Sequence, residues 1–564
     1  MRMRTSLAVA AVLATAVPLA ASRPCAARAV APQGSGGYHV DARFGYKIRP
    51  PKEWQGIPVQ VGEGWLIAKF LSDRTYFYTE KGGGWTYDHK PELMVIAFVD
   101  EVVKKRGPDV QKEGDVTIVT WKNRYKDYKD YLRNTYAGGG YYVSAEEEMK
   151  VGDVAVTALE IKVEKATREG PKRIITWIYH VPDVDVAAQF EVLENSYGKL
   201  KTTIERTLKS FKPIERSGEL PGEQRSVDGF TFSVSEMDRL SPDDRREKRL
   251  AQESALHERA IANLPEGWHH KRYGDFLVLS SADAKFDKRM AEQATAAMMW
   301  LDEAFPFVGP QEYVRRPILR ICRTQEEESS YGRGGAGGGG WMWFGSNNEI
   351  VINKEWDNDL YGIGKVNAEV MDLWFQDRDR DLFWALPAWL RSGLDQLLRN
   401  SYGKGGKLEF YPDLWDVGDL RQRVRDGAAA RPRDMIQMTS QEFSGRDSQE
   451  FWGRRDEANF FVYWMMAGDG ARSKDARDMI TTYIKNLKLV IEEMAAKEID
   501  VEPEKYEVPK TEQEEEERFR NRQKMWRDDS REKRILQDVF FRTFRSWSDR
   551  DWDQLERAYF KSIT

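Results

Sequence analysis

The sequence predicts an α+β protein of two folded parts, and three observations carry that reading. From Tyr38 to about Pro213 the chain holds short apolar runs separated by Gly and Pro, closed by one amphipathic helix. A polar stretch, PIERSGELPGEQRSVD over 213–228, then breaks the pattern. Beyond it a few short strands give way to helical periodicity that runs to the C-terminus. At 564 residues the chain is too long for one core, and 41% hydrophobic with 12% aromatic residues suffices to bury more than one.

The leading segment reads as an address and not as structure. Arg2 and Arg4 precede the apolar run Leu7 to Ala21, and small residues follow. That order is a Sec-type signal peptide over residues 1–31, which places the mature protein in the periplasm or outside a bacterial cell. Its removal takes away Arg2, Arg4, Arg23 and Arg28 and moves the formal charge from −5 to −9. No later apolar run is long enough to span a bilayer. With 32% charged residues of both signs and a negative balance, the chain does not read as a nucleic-acid binder. Cys25 leaves with the signal, so Cys322 stands alone in the apolar run ILRIC and reads as a buried thiol.

In the first part, residues 38–213, the expected strands are Tyr46–Arg49, Trp65–Leu71, Glu92–Val99, Val154–Val163, Ile174–His180 and Val186–Val192. The helix Tyr197–Phe211 carries Leu200, Ile204, Leu208 and Phe211 on one stripe. An antiparallel sheet closed by a C-terminal helix follows. With GYKIRPPKEW early and FEVLENSYGKLKTTIERTLKSFK late, this part resembles the PsbP-like fold. That resemblance implies a binding or scaffold module and carries no catalytic motif.

Residues 214–228 read as a linker and 229–272 as a helical connector, with a charged helix over Ser241–Leu264. The second part, residues 273–564, opens with the strand Phe276–Leu279, the helix Asp287–Phe305 and the strands Pro317–Cys322 and Glu349–Asn353. Later helices are expected over Ala458–Met466, Asp475–Ala496 and within Glu512–Phe544, with Glu514–Glu517 at a helix start. The run GRGGAGGGG contains a formal GxGxxG at Gly332, Gly334 and Gly337. A strand-like segment follows it where a dinucleotide loop requires a helix, so it reads as a flap over a groove. Gly403–Gly406 reads as a loop between helices.

Between the last strand and those helices lies VNAEVMDLWFQDRDRDLFWALPAWLRSGLDQ, Val366 to Gln396, two helices joined by a charged turn. Val366, Val370, Leu373 and Trp374 share one face of the first, and Leu386-Pro387 opens the second. This arrangement resembles the core of the gluzincin (thermolysin-type, peptidase-MA-like) metallopeptidases. In that family HExxH lies on one helix, and a glutamate in a following LPxWLxEG segment completes the zinc site. The resemblance sets Glu369 at the general-base position, Ala368 and Asp372 at the two histidine positions, and Ser392 at the third ligand. Alanine has no donor atom and serine is a poor zinc ligand, so the resemblance implies a degenerate site with no metal or other cofactor. No histidine follows His270, and no shift of register restores the motif.

Three functions remain open on these residues. The first is an exported, non-catalytic metallopeptidase-like protein whose groove binds a peptide, protein or glycan or serves structure. Trp341, Trp343, Phe344 and Trp389 are the candidate groove residues. The second is a secreted hydrolase acting on peptides or glycans through another carboxylate site, drawn from Glu349, Glu355, Asp357, Asp359, Glu369, Asp372 and Asp395. The third is an envelope scaffold. Glu369 has a plainer reading too, as a polar helix residue paired with an arginine such as Arg391. For export, N-terminal sequencing of the exported protein is expected to find a mature chain beginning between Arg23 and Pro32; an intact Met1 would overturn the signal-peptide reading.

Overall fold

The computed structural model describes residues 37–59, 66–80, 86–99, 109–113, 116–120, 125, 127–136, 140–164, 170–217, 226–227, 240–309, 313–332, 343–344, 348–355, 360–412, 414–501 and 529–564. The expected signal peptide, Gly334 and Gly337 of the expected flap, Trp341, Asp357, Asp359 and Glu514–Glu517 lie outside these residues. The described architecture is mixed α+β with several sheets.

The first part is built on a seven-stranded sheet. Its strands in chain order are β1 (Gln55–Ile57), β2 (Leu66–Leu71), β3 (Glu92–Val99), β4 (Tyr141–Val151), β5 (Val154–Val163), β6 (Lys172–Val181) and β7 (Val184–Leu193). They lie side by side in the order β4-β5-β6-β7-β3-β2-β1, every pair antiparallel. Alternation along β6 sends Ile175, Trp177 and Tyr179 to one face and Ile174 and Ile178 to the other. Helix α1 (Tyr128–Tyr136) covers the second face with Tyr128, Tyr131 and Leu132. Helix α2 (Tyr197–Lys209) covers the first with Leu200, Ile204 and Leu208, and Phe211 beyond it stacks on Tyr179 at 3.7 Å between ring centroids.

Three of these elements are not expected from sequence, each for a physical reason: β1 has only three residues, too few to show a period. Strand β4 (YYVSAEEEMKV) is an edge strand exposed along most of its length, so it shows no apolar alternation. Helix α1 presents tyrosines, whose hydroxyls hide its buried stripe from a count of aliphatic residues. The segment read as a linker also differs from a free tether. Ile214 N–H donates to the Gly45 carbonyl at 2.8 Å, Ser217 N–H donates to that of Ala42 at 2.9 Å, and Ser226–Val227 pairs with Val119 and Ile118. Gly45 permits this return, since it has φ +69° and a Cβ there would stand 2.5 Å from Arg216 Cγ.

The second part starts with α3 (Pro242–Ala262), capped by Ser241, whose side chain accepts from Asp244 N–H at 3.2 Å. Its Leu256 and Ala260 lie on Leu277, Leu279 and Ile318, so the connector helix packs across the sheet. That sheet comprises β8 (His269–Tyr273), β9 (Phe276–Ser280), β10 (Ile318–Cys322), β11 (Trp343–Phe344) and β12 (Glu349–Asn353), in the order β8-β9-β10-β12-β11. The pairs β9/β10 and β10/β12 are parallel and the two edges antiparallel. The sheet thus begins at His269, inside the stretch read as connector.

Against it pack α4 (Ala284–Ala304), the short α5 (Gln325–Gly332) and α6 (Leu360–Arg378), and on α6 in turn pack α7 (Arg380–Ala385) and α8 (Ala388–Arg399). The hairpin β13 (Ser401–Lys404) and β14 (Lys407–Phe410) follows, with Gly405 and Gly406 at positive φ in its turn, where a loop between helices is expected from sequence. Then come α9 (Leu414–Arg425), α10 (Ser448–Met466), α11 (Lys474–Val501), α12 (Asp529–Phe544) and α13 (Asp549–Ile563). One apolar core runs through α4, α6, α8, α10 and α11. Among the described residues no helix is long and apolar enough to cross a membrane.

The two parts touch. Ile57 and Leu71 of the first join Trp268, Cys322, Tyr331 and Val351 of the second in one buried cluster. Burial pushes the Cys322 thiol well above its ordinary pKa. Limited proteolysis is therefore expected to cut first within residues 214–228 and to leave two folded pieces that co-elute on size exclusion. Early cleavage between Tyr46 and Phe211 would contradict this division of the chain.

Candidate functional site

Helix α6 is amphipathic in an unusual sense. One stripe, Val366, Val370, Leu373 and Trp374, is buried in the core. Beside it Lys365, Glu369 and Asp372 recur at helical spacing on another face. Asp379 ends the helix and caps α7, its carboxylate accepting from Leu382 N–H at 3.0 Å. Leu386-Pro387 breaks the chain again, and Pro387 stands just ahead of α8. The expected pair of helices is thus three, the charged turn folding into the extra one.

Helix α8 repeats the division. Trp389, Leu390, Leu394 and Leu397 are buried, while Arg391, Asp395 and Arg399 lie four residues apart along one side. The two helices approach closely because Gly364 has no side chain: a Cβ there would stand 1.9 Å from the Arg399 carbonyl oxygen. On the far side Gly393 does the same for α8 and α10, where a Cβ would stand 2.3 Å from Val462 Cγ2.

This crossing makes a polar seam. Arg399 holds Asp395 with two hydrogen bonds, at 2.7 and 3.0 Å, and its Nη2 lies 3.8 Å from Glu369 Oε1. Arg391 Nη2 lies 3.7 Å from Asp372 Oδ2, and its guanidinium rests over Phe383 at 4.4 Å from the ring centroid. At the other end the buried Lys365 Nζ is 4.0 Å from Glu328 Oε1 of α5, and Asn353 Nδ2 donates to Glu328 Oε2 at 2.5 Å. Burial acts against the charged forms throughout. It raises Glu369 above the usual carboxylate range, opposed by Arg399 and Lys365. It raises Asp372 to about 7, opposed by Arg391, and lowers Lys365 to about 8, opposed by Glu328.

The residues singled out from sequence are brought together only in part. Glu369 and Asp372 share the seam. Ala368 is 1% exposed and packs in the core, so its methyl faces neighbouring side chains and not an opening. Ser392 turns toward α10, its hydroxyl donating to Asn459 Oδ1 at 3.0 Å. Trp389 lines no open groove: it is 1% exposed, with Tyr483 edge-on at 5.4 Å and Phe461 at 6.2 Å. A large aromatic in a face of leucines goes to the core because burial outweighs one indole N–H. Trp343 and Phe344 form the edge strand β11, paired with Ile350 and Glu349. Of the other acids, Glu349 is fully buried against Arg320 at 2.7 and 3.1 Å, which leaves it no path to a substrate. Glu355 accepts from the Gln325 N–H at 3.2 Å. Among the described residues no group of three or more His, Cys, Asp or Glu side chains is arranged to hold a metal ion.

No protein-family model matches this chain, and no curated protein matches it. Among solved structures it is similar to cyanobacterial PsbP from Synechocystis sp. PCC 6803, at 11% identity and a TM-score of 0.21. That match covers 31% of this chain and 91% of that one. It is also similar to a Pseudomonas aeruginosa protein of unknown function, at 8% identity and a TM-score of 0.15, covering 28% of this chain and 97% of that one. These values amount to a weak PsbP-like resemblance. They lend the gluzincin resemblance no support.

Arg391, the arginine expected for Glu369, instead faces Asp372, and Glu369 faces Arg399. The signal that finds the seam is the charge period Arg391, Asp395, Arg399, which a motif search passes over. Glu328 has no such signal, since α5 lies far away in sequence.

The seam has a pH signature. Asp372, raised to about 7, sits above the ~3.9 of an unfolded chain, so between those values the folded state binds more protons than the unfolded one. Stability from this group is present at low pH and is lost as pH rises from about 4 through about 7. Asp372→Asn is expected to match wild type below pH 4 and to exceed it by roughly 1–3 kcal/mol at pH 7.5 in urea unfolding. Lys365, lowered to about 8, acts with the opposite slope only above that pH. A stability difference that does not vary between pH 4 and 7.5 would remove Asp372 as the titrating group.

Proposed function

We propose that this chain is an exported, non-catalytic protein whose second part is a gluzincin-like domain, its zinc site replaced by an ion-pair seam. The observation that carries the reading is that the retained Glu369, and the Asp372 that stands at a histidine position, each face an arginine of α8. Glu369 meets Arg399 at 3.8 Å and Asp372 meets Arg391 at 3.7 Å. In a metal site of this pattern a divalent cation stabilises the neighbouring carboxylates and polarises water. Here guanidinium groups supply the positive charge, and a guanidinium activates no water as a metal does.

Supporting the same reading, α6 and α8 pack directly against each other, as the crossing of HExxH and third-ligand helices requires. The order β9, α4, β10, β11/β12, α6 also follows the strand and helix sequence expected of such a domain. A groove kept for a peptide, protein or glycan, or for structure alone, is the remaining role. The first part contributes a binding or scaffold module. The carboxylate-hydrolase alternative gains no support from Glu349 and Asp395, each bound to an arginine.

Metal analysis after dialysis against trace zinc tests the proposal. The wild-type chain is expected to hold no stoichiometric zinc and to cleave no casein or peptide library. Ala368→His with Asp372→His and Ser392→Glu is expected to gain one zinc, more tightly when Arg399→Gln removes the repelling charge. The imidazole at position 368 enters a filled core and is expected to cost roughly 1–3 kcal/mol of stability. One zinc per wild-type chain would refute the non-catalytic reading. A folded variant that gains no zinc with or without Arg399→Gln would remove the gluzincin assignment.

A further inference from the structure

Helix α5 has little reason of its own to form. Its eight residues, QEEESSYG, offer no apolar stripe and place three glutamates in succession, and isolated helices so short are unstable in water. Its side chains are instead held by several other elements. Glu326 meets Lys90 of the first part at 3.4 Å. Glu327 accepts from Ser281 Oγ at 2.6 Å and from Arg323 N–H at 2.8 Å. Glu328 accepts from Asn353 and faces Lys365 of the seam. The Ser330 carbonyl accepts from Lys69 Nζ of β2, and Tyr331 Oη donates to Glu349.

The first part supplies two of these contacts, and its hold is tight. Lys69 is 2% exposed, so its ammonium is enclosed where the carbonyls of the α5 C-terminus point, an end that favours a cation. Beside it Trp268 Nε1 donates to the Gly56 carbonyl at 3.2 Å. A Cβ on Gly56 would stand 2.8 Å from Pro265 Cβ, so the surfaces meet at backbone distance.

We infer that the first part is a built-in latch on α5: its docking orders that helix, α5 holds Glu328 against Lys365, and undocking opens the polar seam. The chain of contact is Lys69 to Ser330, Glu328 to Lys365, and Lys365 to the face that carries Glu369. The inference uses the seam as observed and stands whether or not the second part is gluzincin-like.

Hydrogen exchange on the full chain tests it, with Lys69→Met removing the latch charge and Gly56→Leu driving a wedge against Pro265. Lys129→Met serves as control, because Lys129 pairs with Glu146 on the exposed side of the first part. Both latch variants are expected to speed exchange at least about 10-fold over 325–332 and 349–355, with strands β5 to β7 unchanged. Acylation of Lys365, which is 1% exposed, is expected to rise several-fold in the same variants and not in the control. Wild-type protection of 325–332 in Lys69→Met would overturn the latch. So would loosened α5 with Lys365 still unreactive, since that separates α5 from the seam. Should Gly56→Leu fail to fold, Lys69→Met alone decides, as it keeps the length of the side chain.

Discussion

The approach of α6 and α8 at Gly364 is the constraint on which the second part depends. With no Cβ at that point, two helices come close enough for Lys365, Glu369 and Asp372 to face Arg391, Asp395 and Arg399. Three positive and three negative side chains then occupy one largely buried strip. Charges removed from water are tolerable when each finds opposite charge, and Asp372, which burial drives toward its protonated form, is the member least well compensated. The seam is thus a condition on the helix crossing as much as a product of it. A register shift along either helix would set like charges against each other.

The apolar side of the same helices meets the opposite demand. Trp374 and Trp389 each go to the core, on α6 and α8 respectively, and Gly393 lets α8 settle against Val462 and Ala458 of α10. Dense packing there explains why Ala368 is small: its position points into filled space, where a larger side chain meets its neighbours.

Much of the fold is legible in the residues. Alternation in β3, β5, β6 and β7 and the stripe of α2 mark the first part because each buries a face against a sheet or helix. Strand β4 is not legible, since an exposed edge strand needs no apolar period. The hairpin at Gly405-Gly406 reads from sequence as a loop, because its strands are four residues each and half exposed. At the site, spacing sets Lys365, Glu369 and Asp372 on one side of a helix, whereas Arg399 and Lys365 look like ordinary surface charges until two helices enclose them.

What the sequence alone determined is local: which segments have a period, where Pro and Gly break it, and that Ala368 and Ser392 carry no zinc-binding group. These follow from side-chain chemistry and from spacing along one element. Only the tertiary structure decided which arginine serves which acid, and that Ser392 turns to Asn459. It also decided that Trp389 is core, and that a lysine of the first part reaches the end of α5. Those outcomes depend on which surfaces exclude water from one another, and that is a property of elements far apart in the chain.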